Sequence, residues 1–454
     1  MRNLKALIWA YIVLLIFEGS LRKWVFPSYA DILLVMRDPL ALAIYVLAYL
    51  SGRFPLNAFV LATLALAAAS LASSFLAGQY NMLVTVYGLR INYFHVPLIW
   101  VIASVLDRRD VERVGTFFLL VALPMTALMV LQFKSPVDSR INRGIGGDEV
   151  GQIFGADGRI RPPGFFSFIT GPQLFYPLAA AFFFHQIGSK RRLSWPVLAA
   201  CGLAIIVALP VSISRTVMLA TVLVGITFVV TMPFHRTGMG SLPQIALFMG
   251  LVAAGVSFLP VFREAREVFM MRWDTAAVGT NGDAWGGIFG RIFAGFTQPF
   301  YWASQAPLFG NGIGVGSNVG ARLLQGRVGF MLAEDEWGKV FLELGPLLGA
   351  AFIGFRIAIA CSLAWAALSA LVTRHDNLPI LIFSASAIAV VQNQWAPPTI
   401  LGFAVVGAGL ILAAAKSTDE AEDELEEEEA EGDGATEEAE EIDVVHPPAE
   451  GSTV

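Results

Sequence analysis

The stretch WGKVFLELGPLLG, residues 337–349, marks where the chain returns to long apolar runs after its longest polar interruption, 261–336. That interruption contains arginine but no lysine, is broken by glycines at GNGIGVGSNVG (310–320), and closes on three consecutive acidic residues, 334–336. Guanidinium groups suit anions, and clustered carboxylates suit proton transfer. The stretch therefore predicts an anion-handling polar segment framed by apolar helices.

The composition of the whole chain indicates a membrane protein. Of 454 residues, 56% are hydrophobic and 15% are charged, and the mean hydropathy is +0.66. A soluble globular chain has roughly 25% charged residues. We therefore predict an all-α, polytopic membrane protein, and we expect no nucleic-acid partner.

The formal net charge of -6 sums two unlike parts of the chain. From Lys416 onward there are one lysine and seventeen acidic residues, whereas the preceding part has 29 basic and 19 acidic residues. A basic body fits a membrane protein that handles anions. The tail, 416–454, has almost nothing to bury and repels itself, so we expect it to be disordered. It is either a solvated, inert segment or a cytoplasmic contact for a partner's basic surface.

Apolar runs of about 20 residues predict the membrane spans. Twelve such runs occur, which makes about twelve transmembrane helices: 5–25, 30–51, 54–77, 82–106, 114–133, 165–187, 195–213, 215–234, 241–260, 345–372, 378–396 and 398–415.

The distribution of lysine and arginine in short connectors predicts the orientation. Connectors on the side of the N-terminus are the basic ones, so both termini are predicted to be cytoplasmic. The chain then divides into spans one to nine (1–260, with an external segment at 134–163), a large extracytoplasmic loop (261–344), spans ten to twelve (345–415) and the tail (416–454).

Arginines at helix entrances on the external side predict a site for a polyanion. Arg159 and Arg161 precede the sixth span, beside the stiff Pro162–Pro163 pair, and Arg215 opens the eighth span. Helix N-termini favour anions, and a guanidinium matches phosphate in a bidentate manner. Arg90, within the fourth span, could also reach a phosphate. Three arginines of the large loop are secondary candidates: Arg291, Arg272 and Arg322.

The second span contains adjacent opposite charges, Arg37 and Asp38, followed by Pro39. Charges at membrane depth are costly and are functional candidates. We expect the two side chains to neutralise each other inside the helix bundle.

Four short motifs, in this order, resemble the O-antigen ligase and polysaccharide repeat-unit polymerase superfamily of bacterial inner membranes. They are R-x-x-G-x-F at Arg161, Gly164 and Phe166; SRT at 214–216; APLFGNGIGVG at 306–316; and FLELGPLLG at 341–349. Together they cover about the central two fifths of the chain, residues 161–349.

The resemblance implies a glycosyltransferase. Such enzymes move a glycan from a polyprenyl diphosphate to an acceptor hydroxyl, on either the next lipid-linked repeat unit or the lipid A core. By this resemblance Arg161 and Arg215 would hold the diphosphate, and arginines that stabilise the leaving group's charge could replace a metal. We therefore expect neither a cofactor nor a bound metal.

The chain departs from the ligase pattern at the acceptor base. Ligases place a histidine about nine residues before the Glu of E-x-G, but counting back from Glu343 reaches Glu334, and 261–336 contains no histidine. The acceptor hydroxyl still needs a base. We predict Glu334 or Glu336 as the catalytic carboxylate, because repulsion within the acidic triplet would raise a pKa. Glu343, in an apolar helix, is predicted to be the structural partner of an arginine.

The missing histidine favours a repeat-unit polymerase over a ligase. A transporter or flippase for a lipid-linked anionic sugar would also need many spans and internal arginines. Transporters usually contain structural repeats with a site at the bilayer midplane. This sequence has no visible repeat, and its charged features concentrate on one side.

Overall fold

The computed structural model describes residues 1–147, 152–188, 192–234, 260–278, 284–326, 329 and 331–416, without the side chains of 274–278, 284–289 and 291–293. Regular structure within these ranges is helical, apart from one isolated antiparallel bridge between Phe154 and Ile160. Eight helical segments are long and apolar enough to cross a membrane: Arg2–Val25, Pro27–Leu50, Ala58–Leu76, Met82–Val105, Arg108–Lys134, Arg215–Phe234, Pro346–Arg374 and Pro398–Ala415. The chain is an all-α, multi-pass membrane protein.

The N-terminal part contains six helices, two of them extended by π-helical turns. In order they are α1 (Arg2–Ser20), α2 (Ala30–Leu33), α3 (Arg37–Leu50), α4 (Ala58–Leu76), α5 (Met82–Leu89) and α6 (Leu98–Val105). The π-helical turns are Leu21–Val25 after α1 and Arg90–Phe94 after α5. Such turns often mark functional positions, and both of these carry basic residues.

The middle of the chain forms four further helices. They are α7 (Arg108–Lys134), α8 (Thr170–Gly188), α9 (Trp195–Val211) and α10 (Arg215–Thr231). A capping box formed by Asp107 and Asp110 starts α7. The shorter apolar helices α9 and Leu378–Val391 fall below the length of a full span.

The segment predicted as a large loop is mostly helical. It contains α11 (Pro260–Val278), α12 (Ala284–Gln305), α13 (Asn318–Gln325) and α14 (Glu336–Leu344), and every residue of α14 is buried. The last helices are α15 (Pro346–Arg374), α16 (Leu378–Val391) and α17 (Pro398–Ala415).

The last helix, α17, forms the centre of the bundle. Nearly all of its residues are buried, and it packs against α6, α8, α15 and α16. Because this helix is apolar on every face, other apolar helices can enclose it completely. This packing fixes the positions of the α8 and α15 helices, which lie next to the candidate site residues.

Every predicted span except 241–260 coincides with a helix or helical segment in the structure. The predicted span at 241–260 lies outside the described residues apart from its last residue, as does the predicted disordered tail from 417 onward. The described residues support eight spans by length and hydropathy; the full count of twelve and the side of the membrane occupied by 261–344 stay predictions.

Candidate active site

Arg159 and Arg161 lie on a short hairpin that precedes α8. The chain turns at Asp157 and Gly158, both with positive φ, and Phe154 pairs with Ile160 across the turn. The Arg161 amide donates to the carbonyl of residue 153 at 2.9 Å. The hairpin holds the backbone of both arginines before the chain enters α8.

Arg161 is the centre of a cluster of three arginines, Arg161, Arg215 and Arg272, contributed by three separate segments. Burial lowers the pKa of Arg161 to about 10, and the positive charges of Arg272 and Arg215 contribute to the lowering. Its Nε is buried without a hydrogen-bond partner. Like charges at close range repel one another, so the cluster favours an anion that compensates the charge of Arg161.

Arg159, although only two residues away, is engaged elsewhere. Its guanidinium forms an ion pair with Glu264 of α11 and donates to the carbonyl of Phe133 at 2.6 Å. It also lies over the Phe133 ring, 4.4 Å from the centroid. Arg159 therefore ties the hairpin to α7 and α11, and this pairing favours a positioning role over phosphate binding.

Arg215 begins α10 behind a capped and strained turn. The Ser214 hydroxyl accepts from the Val217 amide at 3.5 Å and from the Gln173 side-chain amide at 3.2 Å. The preceding residue, Ile213, is buried and has a φ of 46°, which is rare for a β-branched residue. The turn aims the first residue of α10 at the Arg161 hairpin, and the helix N-terminus adds partial positive charge.

The remaining residues of R-x-x-G-x-F seat this segment on its neighbours. Gly164 has a φ of 60°, and a Cβ there would collide with the sulfur of Met125. Its carbonyl accepts from the Lys23 ammonium at 2.9 Å, and its amide donates to Gln132 at 2.9 Å. Phe166 is buried in the core. In this motif Arg161 belongs to the arginine cluster, while Gly164 and Phe166 pack the segment against neighbouring helices.

The glycine run 306–316 folds against α14. Gly310, Gly312 and Gly314 all have positive φ, a conformation that favours glycine. The Gly316 amide donates to the Glu343 carboxylate at 2.7 Å, and the Gly312 amide donates to the Glu343 carbonyl at 3.0 Å. The four motifs thus form two spatial pairs: the first two meet at Arg161 and Arg215, and the last two at this loop.

The partner predicted for Glu343 was wrong. Its carboxylate accepts hydrogen bonds from the glycine loop, and the cation that influences it is Lys339 rather than an arginine. Burial raises the pKa of Glu343, while Lys339 and the amides of Gly316 and Gly314 oppose that shift. Glu343 therefore fixes the loop on α14.

Glu336, one of the two predicted bases, is completely buried between two cations. Its carboxylate lies 2.7 Å from the Lys339 ammonium and 2.8 Å from the Arg356 guanidinium. Burial raises the pKa of Glu336, but Lys339 and Arg356 lower it by more, so that it falls below its ordinary value. The expected rise in pKa does not occur at this residue. A stably ionised carboxylate without solvent access suits a structural ion pair better than a base.

Glu334, the other predicted base, is exposed at the edge of a cleft. The cleft has a volume of about 450 Å³ and is lined by Gln298, Tyr301, Trp302, Leu332, Ala333, Glu334 and Asp335. Asp335 is occupied as the N-cap of α14, accepting from the Gly338 amide at 2.7 Å. Of the acidic triplet, only Glu334 is exposed, and it adjoins two aromatic rings.

Arg90 belongs to a separate network of charges within the membrane-spanning helices. Its guanidinium binds both oxygens of Asp38, with one bond of 2.9 Å, and His95 Nε2 lies 3.0 Å from the same carboxylate. Arg37 pairs with Glu18 at 3.0 Å, not with Asp38. The predicted Arg37–Asp38 pair was therefore wrong, because residues adjacent on a helix point in different directions. Arg90 is neutralised by Asp38 in this arrangement.

The other two secondary candidates, Arg322 and Arg291, are not shown to join the cluster. Arg322 pairs with Asp31 at 3.0 Å on the surface, and the side chain of Arg291 lies outside the described residues. Arg272 lies close enough to Arg161 for its charge to act on that guanidinium. It also donates to the Gly155 carbonyl at 3.4 Å, which links α11 to the hairpin.

Sequence reasoning did not find Arg356, Lys339 or Glu264. Arg356 carried a clear signal, since it is a charge in the middle of an apolar helix. Lys339 and Glu264 carried none, because their partners are set by tertiary packing. Among the described residues, no group of three or more His, Cys, Asp or Glu side chains lies close enough together to hold a metal ion.

Comparison with protein-family models, with curated proteins and with solved structures gave no match. The function is therefore inferred from the residues and their geometry.

Proposed function

We propose that this protein is a membrane-embedded glycosyltransferase that moves a glycan from a polyprenyl diphosphate to the hydroxyl of an acceptor sugar. The observation that carries the proposal is the convergence of Arg161, Arg215 and Arg272 from three segments far apart in sequence. A diphosphate is a compact polyanion, and guanidinium groups bind phosphate oxygens through two parallel hydrogen bonds.

The arginine cluster suits the leaving group of this reaction. The bond between the anomeric carbon and the phosphate oxygen breaks, and the electron pair leaves with the lipid diphosphate. Preorganised positive groups stabilise charge that develops in the transition state. Arg161 and Arg215 would contact the diphosphate, Arg272 would add charge, and Arg159 would hold the hairpin through Glu264.

Glu334 is the proposed base for the acceptor. The acceptor oxygen attacks the anomeric carbon while its proton passes to the Glu334 carboxylate. The cleft at Glu334 also presents Tyr301 and Trp302, and flat aromatic rings offer apolar surfaces for the faces of sugar rings. Both aromatic residues belong to α12, which packs on α14 and on α11, the helix that carries Arg272.

The proposed membrane arrangement follows from the sequence. Twelve spans would put both termini in the cytoplasm and 261–344 on the extracytoplasmic face. The resemblance to the ligase and polymerase superfamily implies that the membrane is a bacterial inner membrane. The basic short connectors support this orientation. The acidic tail would then be available for a basic cytoplasmic partner.

The four motifs support the likeness to the ligase and polymerase superfamily, because they form two contacting pairs instead of four isolated matches. The absence of a histidine from 261–336 favours a repeat-unit polymerase. Attachment to the lipid A core is the alternative outcome.

The test supplies lipid-linked repeat units to the purified protein in vesicles. A polymerase lengthens the lipid-linked glycan, and a ligase transfers it to added lipid A core. Translocation of the sugar without a new glycosidic linkage would instead identify a transporter and overturn the proposal.

A further inference from the structure

An apolar groove lies between α9 and α10, with α8 as its floor. Its volume is about 540 Å³, within the roughly 300–1,000 Å³ typical of ligand sites. The lining side chains are apolar except for Thr221: Ala180, Phe183, Phe184, Gly202, Ile205, Ile206, Leu209, Thr221, Val222, Gly225, Ile226, Phe228, Val229 and Val230.

The groove is built from regular helix faces. The lining positions on α9 are 202, 205, 206 and 209, and those on α10 include 222, 225, 226 and 229. Residues three and four apart share one side of a helix. Val222, Ile226 and Val229 remain 46%, 54% and 53% exposed, so the groove is open along α10.

The arginine cluster lies beyond the end of this groove that is nearest to Arg215, the first residue of α10. The hairpin that carries Arg161 leads into the start of α8. The turn between the end of α9, at Val211, and the start of α10, at Arg215, lies on the same side of the bundle. At 1.5 Å per residue, the nearest lining residue of α10, Thr221, is only about 9 Å along the helix from Arg215. From there the lining continues down α10 to Val230.

We propose that this groove binds the prenyl chain of the donor, with the diphosphate on the arginine cluster at its end. This inference rests on the proposed function and extends it to the selection of the lipid. A single branched hydrocarbon chain that ends in a polyanion matches an apolar channel that ends in arginines. An ordinary phospholipid could fill the groove with its acyl chains, but it would offer the arginine cluster a single phosphate group instead of a diphosphate.

Two residues that line the groove are suitable for substitutions that would block binding of a hydrocarbon chain. Ile226 lines it and is half exposed, so Ile226→Trp adds bulk inside the groove without displacing core residues. Leu223 lies on the same helix, is 42% exposed and is not part of the lining. Leu223→Trp is therefore the matched control, and Val222→Trp is a second blocking variant should Ile226→Trp fail to fold.

The experiment measures binding of three probes to purified protein in detergent: a long polyprenyl diphosphate, farnesyl diphosphate and inorganic diphosphate. The wild type should prefer the long chain, and Ile226→Trp should reduce that preference by about tenfold or more, as expected from losing the burial of a few methylene groups. Leu223→Trp should keep it. An unchanged preference in both groove variants, an equal loss in the control, or equal competition by phosphatidylglycerol would overturn the groove assignment.

The same experiment separates this inference from the proposed function. Inorganic diphosphate has no chain, so its binding reports on the arginine cluster alone. If Arg161→Gln leaves that binding unchanged, the diphosphate assignment fails; if the chain-length preference survives blocking of the groove, the lipid assignment fails.

Discussion

Two charge clusters, one around Arg161 and one around Glu336, show opposite ways of holding ionised groups in this protein. Arg161 is surrounded by further cations, and its pKa is lowered by burial and by their charge. Glu336 is surrounded by counter-charges, Lys339 and Arg356, and its pKa is lowered because they stabilise the carboxylate. Arg161 has a buried Nε with no hydrogen-bond partner, whereas the charge of Glu336 is matched by two cations of the same chain. On the proposed function, the first cluster binds a ligand and the second holds helices together.

The largest expected effect is on transfer by Glu334→Gln. Removing a general base typically costs about 10²–10⁴ in rate, while the exposed position should leave stability nearly unchanged. The measurement is the rate of glycan lengthening in vesicles together with thermal unfolding. Full activity in Glu334→Gln would remove this residue from the chemistry.

Next in size is the effect of Arg161→Gln or Arg215→Gln on the same rate. Loss of one group that stabilises the leaving anion should reduce transfer by about 10²–10³. Because Arg161 repels its neighbours, its removal should not lower the stability of the unliganded protein. The matched control is Arg322→Gln, because Arg322 lies on the surface and pairs with Asp31; this variant should retain activity. An equal loss of activity in the control and in the cluster variants would contradict a specific role for Arg161 and Arg215.

The third effect is on stability. Glu336→Gln leaves Lys339 and Arg356 buried without their counter-charge, and breaking such a pair costs about 3–5 kcal/mol. Thermal unfolding in detergent measures the loss, with Glu334→Gln as the comparison two residues earlier. A Glu336→Gln protein that is as stable as the wild type, yet inactive, would move Glu336 from the structural cluster to the catalytic one.

The ion pair between Glu336 and Lys339 also makes the stability of the protein depend on pH. The lowered pKa of Glu336 contributes stability above its ordinary value of 4.5, which is lost as the pH falls through the lower folded-state pKa. The raised pKa of Lys339 contributes stability below 10.5, which is lost as the pH rises through the higher folded-state pKa. The stability difference between wild type and Glu336→Gln should therefore be greatest between these values. A difference that stays constant through the acid range would contradict the pairing.

The eight helical segments of membrane length were predictable, because an uninterrupted apolar run of that length is typical of a transmembrane helix. Arg161 and Arg215 were also visible in the sequence, since one precedes and the other opens an apolar run. The closeness of Arg272 to Arg161 was not visible, because α11 comes about a hundred residues after the hairpin and only tertiary contacts with α9 and with the hairpin bring it near. The pKa of Glu336 was predicted in the wrong direction for the same reason, because its partner Arg356 lies in the following apolar helix. Local pattern located the charges, but tertiary contacts determined which of them are compensated.

The most direct test of the diphosphate assignment is thermal unfolding with inorganic diphosphate. A ligand that binds only the folded state at 100 times its Kd adds about 2.7 kcal/mol, so the wild type should unfold at a higher temperature when diphosphate is present. Arg161→Gln and Arg215→Gln should lose this shift, and Arg322→Gln should keep it. A shift of equal size in all four proteins, or in none of them, would contradict an anion site at Arg161.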